Sequence, residues 1–211
     1  MIIKSFALGE LGANCYYVAD DKTAVLIDPG FYDNNFAAFL ETLEVKPIAI
    51  LLTHGHFDHI CGTMELAKKY NLTVYIGAAD RDCLYSAEKN LAVFVGSYPR
   101  TPLDANTKVE TLVGGESLNI GTLRFTVMAL PGHTAGGVGY KISDALFCGD
   151  TAFYGNIGRT DLPTGDFDTL KNSIKKICRL PDNTVLYCGH GESTTVGAEK
   201  MHNPYFQFGA I

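Results

Sequence analysis

Five of the six histidines in this 211-residue chain stand beside glycine or aspartate at the end of an apolar run. His54 and His56 flank Gly55, His59 follows Asp58, His133 follows Pro131-Gly132, and His190 sits between Gly189 and Gly191. The runs before them (IAILLT, FTVMAL and TVLYC) read as buried strands, so all five imidazoles are delivered to one rim of a sheet sandwich. Glycine next to such a residue lets the backbone turn sharply and approach closely. Asp150 obeys the same rule, following Ala145 to Cys148 and Gly149. Taken singly, a histidine after a strand is an ordinary surface residue, Asp58 an N-cap and Asp150 a turn residue. The set of seven carries the signal.

Neutral imidazole and carboxylate together are the donors preferred by zinc, iron and manganese. Seven of them exceed the three or four protein ligands that one catalytic ion takes, so two divalent ions are expected, zinc first and iron or manganese as the other acceptable metals. A carboxylate can bridge ions roughly 3.5–4 Å apart, and water held between them ionises near neutral pH. The chemistry expected is hydrolysis.

The elements that must position these groups alternate along the chain. Strands are expected at Cys15–Ala19, Ala24–Asp28, Ile48–Thr53, Thr73–Ile76, Leu123–Ala129, Val138–Ile142, Ala145–Cys148 and Val185–Cys188, and helices at Asn34–Leu43, Ile60–Tyr70, Arg81–Lys89 and Phe167–Leu180. The last helix carries Leu170, Ile174, Ile177 and Leu180 on one face and Lys171, Lys175 and Lys176 outside, the pattern of a helix laid on a sheet. Gly114, Gly115 and Gly121 punctuate a hairpin. The class is mixed α/β, and no linker or charge block divides residues 1–211, so one domain is expected. The segment from Asn90 to Thr107, with Pro99 and Pro102, reads as a loop forming a wall of the active site.

Composition removes other classes of function. A chain this long buries roughly 70% of its unfolded surface and needs no disulfide staples. With 17 Lys and Arg against 23 Asp and Glu, and the bases scattered, there is no positive stripe for nucleic acid. No stretch has the length of a membrane span and residues 1–20 lack a signal-peptide pattern, so a cytoplasmic protein is expected, with no nucleic-acid or membrane partner. Cysteines 15, 61, 83, 148, 178 and 188 form no CxxC pair and suit reduced, mostly buried thiols. His202, in the tail, reads as an exposed helix residue. Oligomeric state leaves no mark in the sequence.

Thr53-His54-Gly55-His56-Phe57-Asp58-His59, with His133 in Pro-Gly-His-Thr, Asp150 in Gly-Asp-Thr and His190 in Gly-His-Gly, resembles the metallo-β-lactamase superfamily over nearly the whole chain. The resemblance implies a four-layer αβ/βα sandwich with its metal site at one edge. It also implies that His54, His56 and His133 take one metal, that Asp58, His59 and His190 take the other, and that Asp150 bridges them. Asp28, in Asp28-Pro29-Gly30, then supports the metal loop by hydrogen bonding.

The run from Gly155 to Asp166 is similar to short glyoxalase II-type hydrolases, which cleave thioesters such as S-lactoylglutathione with a metal-bridging hydroxide. In that branch Asp58 and Asp150 serve catalysis, and Arg159 occupies the position of a basic residue that contacts glutathione, unless it pairs with Asp161 or Asp166. Tyr154 and Phe153 stand where an acyl pocket would be lined. Only 21 residues follow His190, too few for the C-terminal helical domain of full-length glyoxalase II. The rival branch is the persulfide dioxygenases, with one iron on His54, His133 and Asp150. The Gly149-Asp150-Thr151-Ala152-Phe153 stretch is closer to the hydrolase pattern.

Overall fold

The structure is a computed structural model and describes residues 1–96, 98 and 103–209, the side chains of 208 and 209 excepted. Six strands, β1 (Ile2–Leu8), β2 (Ala13–Ala19), β3 (Ala24–Ile27), β4 (Pro47–Leu51), β5 (Thr73–Gly77) and β6 (Val109–Leu112), form one sheet in that order. Strands β7 (Ser117–Ile120), β8 (Leu123–Ala129), β9 (Val138–Ile142), β10 (Ala145–Gly149), β13 (Val185–Cys188) and β14 (Thr194–Thr195) form a second, ordered β14-β13-β10-β9-β8-β7. Between β10 and β13 the chain makes a small hairpin of β11 (Ala152–Phe153) and β12 (Asn156–Ile157).

Period-two alternation explains how the sheets stack. All seven residues of β2 are buried; Cys15, Tyr17 and Ala19 face one apolar cluster, and Tyr16 and Val18 face another. The first cluster lies under α1 (Asn34–Thr42) and α3 (Thr63–Tyr70), through Phe36, Leu40 and Leu66. The second lies between the sheets, where Val25, Ile27 and Leu51 meet Phe125, Tyr140 and Phe147. A third joins Leu146 and Leu186 to Ile174 and Ile177 of α4 (Phe167–Cys178) and to Val196 of α5 (Val196–His202). The result is helix, sheet, sheet, helix, as the resemblance implies. Helix α4 begins where Asp166 accepts a hydrogen bond from Thr169 N at 2.7 Å, and it buries Leu170, Ile174 and Ile177.

Three expectations need correction. The stretch from Arg81 to Lys89 is not an α-helix: a 3-10 helix covers Ala78–Leu84 and turns follow, because no apolar stripe at 3.6-residue spacing is available to pack there. The helix expected from Ile60 is two pieces, the four-residue α2 (Phe57–Ile60) and α3, separated at Cys61-Gly62. Gly62 fits a crowded spot, since a Cβ there would meet Pro29 O at 2.6 Å. Strand β1 has no counterpart among the expected strands; as an edge strand with most residues partly exposed it shows no buried run. Of the 90–107 segment, positions 97 and 99–102, including Pro99 and Pro102, lie outside the described residues.

The directions of the strands gather the site. Strand β8 is antiparallel to β9, and β9 to β10, so β8 and β10 run the same way; β13 is parallel to β10. The exits of β8, β10 and β13 therefore open on one edge, and β4 of the facing sheet delivers Thr53 and His54 there, with Val138 N bonded to Thr53 O at 2.8 Å. No helix among the described residues is long and apolar enough to cross a membrane, and no disulfide links the six cysteines. His202 is exposed on α5.

Candidate metal centre

All seven residues singled out by type and spacing meet at that edge. Potential donor atoms of His54, His56 and His133 lie within 4.8 Å of one another, as do those of Asp58, His59 and His190. Asp150 stands between the two sets: its Oδ1 is 3.4 Å from His59 Nε2, and its Oδ2 is 3.5 Å from His133 Nε2 and 3.7 Å from His190 Nε2. The approach is close enough that a Cβ on Gly189 would collide with the Asp150 carboxylate, and one on Gly30 with the carbonyl of Asp58. Short contacts of this kind require glycine at both positions.

The imidazole tautomers follow from their partners. A carbonyl oxygen only accepts, so His133 Nδ1 donates to Arg159 O at 2.7 Å and leaves Nε2 as a bare lone pair. That lone pair faces His56 Nδ1 at 2.9 Å. Thr53 Oγ1 donates to Asp28 Oδ2 at 2.5 Å, which leaves it free to accept from His54 Nδ1 at 3.1 Å. His54 Nε2 is then a buried lone pair with no partner, and Asp150 Oδ1 is likewise buried without a hydrogen bond. Orphaned buried acceptors within a cluster of metal-ligating residue types are what a cation completes.

The second set is built differently. His59 Nδ1 donates to Asp28 Oδ2 at 3.1 Å and His190 Nδ1 to Leu11 O at 3.2 Å, so their Nε2 atoms face each other at 3.3 Å. Asp58 Oδ2 is 3.2 Å from His190 Nε2. Asp28 also lies within ligating distance of His54 and His59, yet its oxygens are taken by Thr53 N, Thr53 Oγ1 and His59 Nδ1. It orients donors on both sides, as expected of a carboxylate behind metal-binding histidines.

Charge balance separates the sets further. Burial, reinforced by the neighbouring imidazoles, drives His54 well below the usual histidine range, and burial and His133 bring His56 down to about 4, so both remain neutral donors. Burial also opposes charge on His59, but Asp150, Asp58 and Asp28 outweigh it and push that group up to about 10. Burial would raise Asp58, yet His59 and His190 hold it well below the usual carboxylate range. The second set thus asks for positive charge, which a proton or a metal supplies. Both donor sets suit divalent cations.

One residue of the assembly has no counterpart in the expectations. Asp80, 2% exposed, accepts from Gly55 N at 2.9 Å, Thr134 Oγ1 at 2.7 Å and Gly136 N at 2.8 Å. It thereby ties the loop bearing His54 and His56 to the loop bearing His133. Its signal was the rule that exposed the others, a chelating residue type just past a strand, here β5.

The remaining expected residues fall at the mouth. A cleft of about 680 Å³ opens above the centre, with His56, Asp58, His133, Asp150 and His190 at its floor and Arg159 on its wall. Arg159 forms a bidentate pair with Asp161, Nε to Oδ1 at 2.7 Å and Nη2 to Oδ2 at 2.8 Å. Phe153 lines the cleft, whereas Tyr154 lies outside its lining and is 68% exposed. Leu91, Phe94 and Val95 of the 90–107 segment do form part of the wall.

With fold and site in hand, the chain belongs to the metallo-β-lactamase superfamily: the family profile matches residues 8–190. It is 35% identical to a probable metallo-hydrolase, YqgX, of Bacillus subtilis (strain 168), over 94% of each chain. It is 34% identical to the hydroxyacylglutathione hydrolase GloC of Haemophilus influenzae (strain ATCC 51907 / DSM 11121 / KW20 / Rd), over 91% of this chain and 92% of that one. Among solved structures it is similar to the B3 metallo-β-lactamase BLEG-1 (37% identity, TM-score 0.91, 97% and 99% covered) and to TTHA1623, solved in a di-iron-bound form (36%, 0.86, 96% and 99%). ETHE1 from Myxococcus xanthus is more distant (27%, 0.79, 97% and 84%).

Proposed function

We propose that this metal-dependent hydrolase cleaves thioesters, S-lactoylglutathione being the reference substrate, at a binuclear centre within one domain spanning residues 1–211. In this reading His54, His56 and His133 hold one ion, Asp58, His59 and His190 the other, and Asp150 lies between them. Zinc is the first candidate, and iron and manganese fit the same donors. Divalent ions bound there supply Lewis acidity, which polarises an acyl carbonyl and lets water ionise near neutral pH.

The protein's own part is orientation. Hydrolysis adds one water across the C–S bond and yields a carboxylic acid and a thiol. The ionised Asp58 carboxylate, on the cleft floor, accepts a hydrogen bond from the attacking water and aims it; Asp150 does the same from the other side. Asp28 and the carbonyls of Arg159 and Leu11 hold the imidazoles in the tautomers that face inward. No side-chain nucleophile is needed. The observation that carries this reading is the second triad, Asp58, His59 and His190, complete beside the first. The likeness to GloC supports the thioester as substrate.

A second reading is a persulfide dioxygenase with one iron on His54, His133 and Asp150, favoured by the likeness to ETHE1. The test is elemental analysis of protein purified without added metal, with S-lactoylglutathione hydrolysis, oxygen uptake with glutathione persulfide, and cleavage of a chromogenic β-lactam assayed on the same sample. Two ions per chain and thioester turnover are expected. One iron per chain with oxygen uptake and no hydrolysis makes it a dioxygenase, and β-lactam cleavage alone moves it beside BLEG-1.

A further inference from the structure

The wall of the cleft does not match an anionic thioester. Leu11, Leu91, Phe94, Val95, Phe153 and Ile157 surround the floor, and Leu11 and Phe94 remain 51% and 79% exposed. Among the described residues lining the cleft, Arg159 is the only cation besides the histidines of the centre, and its Nε–Nη2 edge is already paired with the Asp161 carboxylate, which balances its charge. A glutathione moiety carries two carboxylates. Laying both against this wall strips water from two charges and returns at most the Nη1 side of one arginine that Asp161 already neutralises.

We propose, resting on the hydrolase reading, that the cleft selects thioesters with an apolar acyl group of four or more carbons, whose carrier thiol keeps its charges outside. The acyl chain lies against Phe94, Leu91 and Val95 while its carbonyl reaches the floor. Burial of each added methylene contributes about fourfold to binding. Specificity then comes from chain length and hardly from a hydroxyl on the acyl group, which an apolar wall discriminates weakly.

The experiment uses the metal-loaded protein and S-acyl-N-acetylcysteamine thioesters, whose thiol is uncharged, with propanoyl, butanoyl, hexanoyl and octanoyl groups. The expected result is a kcat/KM that rises about fifteenfold from butanoyl to hexanoyl, and a series that flattens in Phe94→Ser. Phe94 is so exposed that this change leaves the core intact. A flat or falling series in the wild type overturns the selectivity while leaving the hydrolase reading in place. If none of these thioesters turns over while S-lactoylglutathione does, the selectivity is overturned and the hydrolase reading stands; if neither turns over, the hydrolase reading falls, and calorimetric binding of the same four compounds still decides the wall. Affinity that rises with chain length in the wild type and not in Phe94→Ser upholds it, and affinity independent of chain length overturns it.

Discussion

The two triads sit side by side and respond to protons in opposite directions. His54 and His56 are pushed down and present neutral nitrogen lone pairs, one of them orphaned and buried. His59 is pushed up to about 10, and His190 is also raised, in its case against burial, by the hydrogen bond to Asp58 and by Asp150. Donor type and surroundings account for the contrast. Burial, with neighbouring imidazoles, outweighs the carboxylates at His54 and His56 and strips their protons, whereas at His59 and His190 the carboxylates of Asp28, Asp58 and Asp150 outweigh burial and hold the protons on. The first triad offers three neutral imidazoles, donors suited to borderline divalent cations; in the second, a cation must displace a proton. Asp150 touches both and couples them.

The largest effect is expected at that coupling point. In the proposed binuclear reading Asp150→Ala removes a donor shared by both triads and should abolish turnover to background, with bound metal falling at both sites in elemental analysis. Retention of two ions and full activity would separate the triads and remove the bridging role.

Asp80→Asn sharpens the contrast. It spoils an acceptor of three hydrogen bonds behind the first triad and touches nothing of the second. A loss of about 10–100-fold in the affinity of one ion, read by chelator competition, is expected, with the other ion unchanged. Equal weakening of both would show that Asp80 merely stabilises the fold.

Smallest is the pH response of metal-stripped protein. His54 and His56 have folded values below the unfolded value of about 6.5, so the unfolded chain binds more protons and stability falls as pH drops from about 6.5 towards 4. His59 and His190 are raised, so their contribution is full below about 6.5 and is lost as pH climbs, for His59 through about 10. Thermal melts should therefore peak near neutrality, with the acid limb flattened in His56→Ala and the alkaline limb in Asp58→Asn.

Much of this centre was legible because its residue types are chemically costly anywhere else. Histidine beside glycine at successive strand ends has few structural uses, and the common direction of β8, β10 and β13 brings those ends to one edge. The supports were harder to see. Asp28 is anticipated through its Asp-Pro-Gly setting, whereas Asp80 has only its place just past β5 to mark it, with no glycine or histidine beside it, and its partners, two backbone amides and the Thr134 hydroxyl, leave no local pattern. Arg159 had two readings in the sequence, and only geometry shows its pairing with Asp161 over Asp166. Edge strand β1 escaped because partial exposure dilutes its apolar pattern, and the 3-10 helix at Ala78–Leu84 because short turns of that kind lack a repeating face.

The most direct test of two dissimilar but complete triads is metal stoichiometry in wild type, His56→Ala and His190→Ala, purified and reconstituted side by side. Two ions per chain in the wild type and one in each variant are predicted. One ion in the wild type, lost in His56→Ala and retained in His190→Ala, would contradict the account and reduce Asp58, His59 and His190 to supports of a single-metal centre.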